Sequence, residues 1–208
     1  MDALAMFAGV RLVPVVVIDD DACAVPLASA LAEAGVTAIE ITLRTPAALP
    51  AIEAIAATVP TMLVGAGSVR KTEQVAEAMS AGAEFLVSPG SSKLLLKAVA
   101  DAGVPFVPGA ATASEVLALA AFGYQLVKFF PAELSGGVKM LRALSDPIPE
   151  ARFFPTGGIT AVLAPDYLAL PAVACVGGSW FVPRDLLGDR KFAEIANLTK
   201  AAVRLANG

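Results

Sequence analysis

Short apolar segments alternate with longer helical ones along the whole chain, and this alternation restricts the fold more than any other feature. Eight segments of five to eight residues are typical of buried strands, and they begin at Leu12, Val36, Thr61, Glu84, Pro105, Gln125, Arg152 and Ala172. The segments between them are rich in Ala, Leu and Glu, and several end in glycine, which commonly stops a helix. Eight strand-then-helix units without an internal linker predict an α/β fold, a (β/α)8 TIM barrel. We expect a single domain over residues 1–208, with a short N-terminal helix before Leu12.

The main alternative to a barrel is a doubly wound open sheet. Such a sheet usually has five or six strands, and a glycine-rich nucleotide loop often follows its first strand. Here the first strand is followed by DDDACAV instead, which favours the barrel. In a barrel of this kind, functional residues gather where the strands end and the following loops begin.

Charge and hydrophobicity exclude several classes of partner. The net charge of -4, the pI near 4.9 and the lack of a basic cluster argue against a nucleic-acid partner. The apolar run from Leu12 to Ile18 contains Pro14 and is too short to cross a bilayer. The start, MDALAMFAGV, lacks the features of a signal peptide. We therefore expect a cytoplasmic protein without a membrane partner, in which Cys23 and Cys175 are small buried thiols.

The chain contains no histidine. This excludes Ser-His-Asp triads and histidine-ligated zinc, so any chemistry depends on Lys, Glu, Asp, Arg, hydroxyls and the backbone. The acidic run Asp19–Asp21 suggests either a metal site or a solvated loop, and we predict a loop in which one carboxylate caps the next helix. Trp180 is predicted to pack at a helix or subunit surface.

A lysine, Lys128, stands within the apolar segment QLVKFFP. In one interpretation its stem is buried while the ammonium reaches water. Alternatively, the amine points into a pocket where loss of water favours its neutral, nucleophilic form. Because side chains alternate along a strand, Lys128 faces the interior if Val127 and Phe129 face the helices.

The same alternation applies to VTAIEITLRTP, where Ile39 and Ile41 should face the helices and Glu40 the interior. A structural ion pair with Arg44 is the alternative role for Glu40. An isolated buried charge is costly, so an interior acid and an interior amine need each other or a ligand. The combination favours a catalytic pair over a structural one.

Two glycine pairs follow the seventh and eighth predicted strands, in PTGGIT and VGGS. Glycine exposes backbone N–H groups and allows close approach, as a phosphate requires. Phosphate sites of barrels are frequent after strands seven and eight, and the alternative is that these glycines only make tight turns. Together with Lys128 and Glu40, they predict a Schiff-base aldolase for a phosphorylated keto acid.

The stretches IEITLRT, VGAGSV, SPG, VKFFPAE, GGVK, RFFPTGGI and GGSWFVP occur in order over nearly the whole chain. They resemble those of the 2-keto-3-deoxy-6-phosphogluconate (KDPG) and 4-hydroxy-2-oxoglutarate aldolase family, class I aldolases of the Entner–Doudoroff pathway. The resemblance implies a homotrimer without metal or cofactor. It also implies cleavage of KDPG to pyruvate and glyceraldehyde 3-phosphate, with 4-hydroxy-2-oxoglutarate as a further substrate.

The resemblance implies a role for each matching residue. Lys128 would be the Schiff-base lysine and Glu40 the general acid–base residue. The substrate-binding residues that it implies are Arg44, Ser68, Pro89, Phe130, Thr156, Gly157, Gly158, Gly178 and Ser179. Among these, Arg44 and Thr156 would bind the carboxylate region, and the glycines and Ser179 the phosphate. Ser68 stands where the family is expected to have threonine, which implies a changed contact shape.

Three other functions stay open at this point. The chain also matches, more weakly at its first strand, a related family that cleaves the galactonate epimer of KDPG. A phosphosugar epimerase or isomerase on the same barrel would use Glu40 as a base and form no covalent adduct. A phosphate-ligand sensor would bind without turnover.

Overall fold

The computed structural model describes residues 3–207. Within that range nine β-strands alternate with ten α-helices. The strands are β1 (Leu12–Val16), β2 (Ala38–Thr42), β3 (Leu63–Gly67), β4 (Phe85–Val87), β5 (Phe106–Val107), β6 (Gly109–Ala110), β7 (Leu126–Phe129), β8 (Arg152–Pro155) and β9 (Val176–Gly178). The helices are α1 (Ala3–Met6), α2 (Ala24–Glu33), α3 (Ala48–Thr58), α4 (Glu73–Ser80), α5 (Lys93–Ala102), α6 (Ala113–Ala121), α7 (Gly137–Ser145), α8 (Ala164–Leu168), α9 (Arg184–Gly188) and α10 (Phe192–Asn207). The predicted N-terminal helix is confirmed as α1.

All paired strands are parallel, and they form two sheets with the orders β5-β4-β3-β2-β1-β9 and β6-β7-β8. Every predicted strand segment contains a strand, but the fifth is divided at Pro108 into β5 and β6. Proline has no N–H to donate to a ladder, and β5 pairs with β4 while β6 pairs with β7. The structure thus establishes a parallel α/β fold of two sheets.

The two faces of the strands belong to two separate apolar clusters. Ile39, Ile41, Val127 and Phe129 lie in the larger one, together with residues of the surrounding helices. The smaller one, here called the inner cluster, consists of Ala3, Phe7, Val10, Val13, Ala38, Phe85, Val87, Val107, Leu126, Phe154 and Cys175. The predicted alternation along β2 and β7 is therefore confirmed, since Glu40 and Lys128 share the face of Ala38 and Leu126.

Phe7, which follows α1, belongs to the inner cluster and lies near the amino ends of the strands. The ring of Phe7 meets Phe85 edge-on at a centroid distance of 5.0 Å and lies 5.9 Å from Phe154. Aromatic pairs in such geometry add to the free energy gained from burial alone. The N-terminal segment is thus part of the core.

The acidic run after β1 forms an exposed loop, as predicted. Asp20 caps the short 3-10 helix Asp21–Cys23 by accepting a hydrogen bond from Ala22 N–H at 3.1 Å. Asp19 and Asp20 also form ion pairs, with Arg184 and Arg190 respectively, each at 2.7 Å. These pairs fasten the loop to the segment around α9.

Two further predictions concern the cysteines and a membrane span. Cys23 and Cys175 are both buried free thiols, as expected. No helix between residues 3 and 207 is long and apolar enough to span a membrane.

Candidate active site

The side chains of Lys128 and Glu40 meet in a buried ion pair between β7 and β2. Lys128 Nζ lies 2.9 Å from Glu40 Oε1 and 3.2 Å from Oε2. Their side chains are 5% and 0% exposed. Every other charged partner in an ion pair of the described residues is at least 47% exposed. Among residues 3–207, this is the only ion pair withdrawn from water, and an ammonium and a carboxylate attract each other strongly in such surroundings.

Strand register places each member of the pair beside a glycine of a neighbouring strand. Glu40 stands opposite Val15 of β1 and Gly65 of β3, and Lys128 stands opposite Gly109 of β6 and Phe154 of β8. Lys128 N–H donates to the carbonyl of Pro108, the residue where the fifth segment divides. Gly65 leaves room for the ring of Phe85 and Gly109 for the backbone of Pro89, since an added Cβ at either glycine would lie 2.3 Å from that neighbour.

Two aromatic rings flank the ammonium. Lys128 Nζ lies 5.5 Å from the ring centroid of Phe130 and 5.9 Å from that of Phe154. Both distances are within the range at which a ring face attracts a cation. Phe154 is fully buried in the inner cluster, whereas Phe130 is half-buried above it. The amine therefore stands between an apolar floor and a ring at the opening.

The loops after β8 and β9 lie beside each other at the carboxyl ends of the strands. An isolated β-bridge joins Thr156 to Gly177. Within residues 3–207, no chain acceptor binds the backbone N–H of Gly157, Gly158 or Ser179, and the buried hydroxyl of Thr156 has no hydrogen-bond partner. Unpaired donors that converge from two loops are suited to binding an anion.

Other predicted substrate residues lie at the same end but are more open. The side chains of Arg44 and Ser179 are exposed, and Ser68 is half-buried with a φ of 57°. Among the described residues Arg44 forms no ion pair, so the structural Glu40–Arg44 pair is absent. Pro89 lies against Gly109, where an added Cβ would be 2.3 Å from its backbone.

Trp180 packs as predicted, with its ring 4.8 Å from that of Phe181 and against Gly178. It belongs to the layer between strands and helices. The nearby thiol of Cys175 is inert, because burial and then the charge of Glu40 raise its pKa.

Sequence reasoning did not single out several residues of this site. Phe154 follows the same alternation that placed Lys128 inside, so that signal was present in RFFPTGG. Gly67, which leaves room for the Glu40 carboxylate, and the bonded pair Glu133 and Tyr167 had no comparable signal. Their importance depends on contacts between distant segments.

The chain is similar to known proteins over most of its length. The family model described as KDPG and KHG aldolase matches residues 5–198. The KHG/KDPG aldolase of Escherichia coli K12 is 47% identical over 192 residues, which cover 92% of this chain and 90% of the relative.

Two solved structures are similar in both fold and sequence. One is the KDPG aldolase of Legionella pneumophila with pyruvate captured at low pH as a covalent carbinolamine intermediate. It has a TM-score of 0.94 and 42% identity, covering 97% of this chain and 98% of that one. The other, that of Zymomonas mobilis ZM4 with 3-phosphoglycerate, has a TM-score of 0.91 and 41% identity, covering 97% and 94%. The chain therefore belongs to the KDPG and KHG aldolase family.

Proposed function

We propose that this protein is a class I aldolase that cleaves KDPG to pyruvate and glyceraldehyde 3-phosphate through a Schiff base on Lys128. The observation that carries the proposal is the buried pair of Lys128 and Glu40, an amine within 2.9 Å of a group that can take its proton. The covalent carbinolamine of pyruvate in the Legionella relative supports it. So does the family to which the chain belongs.

The first half of the mechanism forms the imine. Lys128 passes a proton to Glu40 and attacks the C2 ketone of the substrate as a neutral amine, which gives a carbinolamine. Loss of water, assisted by the proton on Glu40, gives an iminium ion. The iminium withdraws electrons from the C3–C4 bond.

The second half breaks the carbon–carbon bond. Glu40, now a carboxylate, takes the proton of the C4 hydroxyl, directly or through water, as the C3–C4 bond breaks. The bond's electron pair neutralises the iminium to an enamine, and glyceraldehyde 3-phosphate leaves. Glu40 then returns the proton to C3 of the enamine, and water hydrolyses the resulting iminium to free pyruvate and Lys128.

The proposal also assigns roles to the binding residues. Arg44 and Thr156 bind the substrate carboxylate, with Ser68, Pro89 and Phe130 lining the pocket. Gly157, Gly158, Gly178 and Ser179 bind the phosphate, with the free N–H groups of Gly157, Gly158 and Ser179 as donors. The 3-phosphoglycerate in the Zymomonas relative supports a phosphorylated ligand, and the free N–H groups of these loops support the position of the phosphate.

In this proposal KDPG is favoured as the substrate over its galactonate epimer. The names of the relatives support this choice. 4-Hydroxy-2-oxoglutarate is a second substrate in this proposal, since the E. coli relative is named a KHG/KDPG aldolase.

Three structural expectations belong to the same proposal. The two sheets close into one eight-stranded barrel domain, with β5 and β6 as one strand interrupted at Pro108. The bridges Phe153–Val173 and Thr156–Gly177, which link β8 to the β9 segment, support closure.

We propose a homotrimer, which the 90% and 84% exposure of Leu134 and Val162 supports. The two free cysteines support a cytoplasmic location.

Borohydride trapping tests the function directly. Reduction in the presence of pyruvate should inactivate the enzyme and leave an adduct on the peptide that contains Lys128, because borohydride reduces the imine to a stable amine. Lys128→Ala should form no adduct, whereas Lys97→Ala, which removes an exposed lysine of α5, should behave as the wild type. An adduct on Lys97 or Lys139, or no adduct, would contradict the Schiff-base proposal and favour a non-covalent isomerase.

A further inference from the structure

The segment after β7 is bonded to the glycine loop after β8. Ala132 N–H donates to the carbonyl of Thr156 at 2.9 Å, and Glu133 N–H donates to that of Gly157 at 3.1 Å. Because β7 carries Lys128, these bonds join the strand of the lysine to the loop that offers free N–H groups. The position of one segment thus depends on the other.

The side chain of Glu133 also links the segment after β7 to α8. The hydroxyl of Tyr167 donates to Glu133 Oε1 at 2.5 Å, and the ring of Tyr167 is fully buried. Burial, and then the hydrogen bond and charge of Glu133, raise the pKa of Tyr167, so the phenol stays protonated and keeps donating. Since α8 follows the glycine loop, the bond fixes the far end of that loop to the segment after β7.

The glycine loop is also in tight contact with Glu133. An added Cβ at Gly158 would lie 2.8 Å from Glu133 Cβ, and one at Gly157 would lie 3.3 Å from the Phe130 ring. Both glycines have positive φ, 105° and 80°, where other residues are strained. The backbone of Gly157 and Gly158 has little freedom as long as Glu133 stays in place.

We infer that Glu133 and Tyr167 are positioning residues, which hold the N–H groups of Gly157 and Gly158 in the geometry that a phosphoryl dianion requires. The inference rests on the proposed function, because it takes the glycine loop to bind the phosphate of the substrate. Within residues 3–207, neither side chain has a hydrogen bond or ion pair with Lys128 or Glu40. Phosphate binding and imine chemistry should therefore respond differently when the pair is broken.

Two rates distinguish a positioning role of Glu133 and Tyr167 from a purely structural one. The first is cleavage of KDPG, with KM and kcat measured by coupling to lactate dehydrogenase. The second is exchange of the methyl protons of pyruvate with deuterium, which needs Lys128 and Glu40 but no phosphate. Tyr167→Phe and Glu133→Ala break the bond, whereas Glu133→Gln keeps an acceptor oxygen for Tyr167. Tyr124→Phe is the matched control, since Tyr124 packs on Phe106 away from the loop.

Tyr167→Phe and Glu133→Ala should each raise the KM for KDPG about tenfold. This is the effect expected if the displaced glycine loop loses one hydrogen bond to the charged phosphate. kcat and the exchange rate should stay within about twofold, and Glu133→Gln should restore a KM near that of the wild type. A lower melting temperature with unchanged KM in both variants would show a purely structural bond and overturn the inference. A parallel loss of proton exchange would overturn it too. If the unmodified enzyme shows no preference for phosphorylated substrate, the proposed function fails first, before any variant is made.

Discussion

Gly67 leaves the space that the carboxylate of Glu40 occupies, since an added Cβ at Gly67 would lie 2.1 Å from Glu40 Oε1. Gly67 ends β3, the strand next to the one that carries Glu40. Any side chain at residue 67 must therefore displace the carboxylate from Lys128, or displace its own strand.

Gly67→Ala should lower the rate of KDPG cleavage by about 10² to 10⁴, the usual contribution of a general acid–base group. Gly188→Ala is the control, because an added Cβ at Gly188 meets nothing within 4 Å. The assay is pyruvate release coupled to lactate dehydrogenase. Wild-type rates in Gly67→Ala would mean that catalysis does not need the carboxylate where the structure places it.

Glu40→Gln should slow cleavage by a similar factor, roughly 10² to 10⁴, because the amide cannot take a proton from the C4 hydroxyl. Borohydride trapping of pyruvate should survive in part, since the amine remains. Glu53→Gln on the exposed face of α3 serves as the control. Retention of the wild-type cleavage rate in Glu40→Gln would leave the carboxylate with only a structural role.

The stability of the buried pair can be measured by a double-mutant cycle. Glu40→Met alone leaves Lys128 buried without a partner and should lower the free energy of unfolding by about 3–5 kcal/mol. Glu40→Met combined with Lys128→Met should be close to the wild type or more stable, because an apolar pair avoids the cost of burying two charges. Urea unfolding of the wild type, of Glu40→Met, of Lys128→Met and of the double variant gives the coupling energy. A double variant less stable than either single variant would contradict this interpretation.

The glycine loops should determine substrate choice. Charged hydrogen bonds contribute roughly 1.5–3 kcal/mol each, so two or three of them raise kcat/KM for KDPG by several powers of ten over an unphosphorylated analogue. Ser179→Ala should narrow that gap and leave proton exchange of pyruvate nearly unchanged, with exposed Ser80→Ala as the control. Equal efficiency with both substrates would show that the loops hold no phosphate.

Acid should weaken the loop after β1. The hydrogen bond from Arg184 lowers the pKa of Asp19 below its usual value, so the folded state binds its proton less readily than the unfolded chain. The resulting stability is present above the unfolded pKa, about 3.9, and is lost as the pH falls through the lower folded value. Arg184→Met should therefore reduce the melting temperature above pH 4 but not at pH 2. Calorimetry tests this, with Arg204→Met as the control, and a constant difference at all pH values would exclude the pair as the cause.

The alternation of side chains along β2 and β7 was enough to predict the interior positions of Glu40 and Lys128, because a strand has only two faces. The same rule could not say which residues they would meet. The contacts of Phe154 with Lys128 and of Gly67 with Glu40 depend on register between strands, and the bond from Tyr167 to Glu133 spans 34 residues. The fifth strand divides at Pro108, which has no N–H for a ladder, but its pairing with β4 on one side and β7 on the other depends on distant segments.

The inner cluster has a consequence for how this enzyme can change. Phe7, Phe85 and Phe154 fill the space below Lys128, so this part of the apolar core lies apart from the loops that we propose to bind the substrate. Substitutions at exposed positions of those loops, such as Arg44 and Ser179, remove few core contacts and cost little folding free energy, whereas the positive φ of Gly157 and Gly158 restricts those two positions. Selection for a new aldehyde product can then act on the rim while the floor keeps the lysine in place. Innovation in substrate scope and tolerance of mutation are thus separated in space within one small protein.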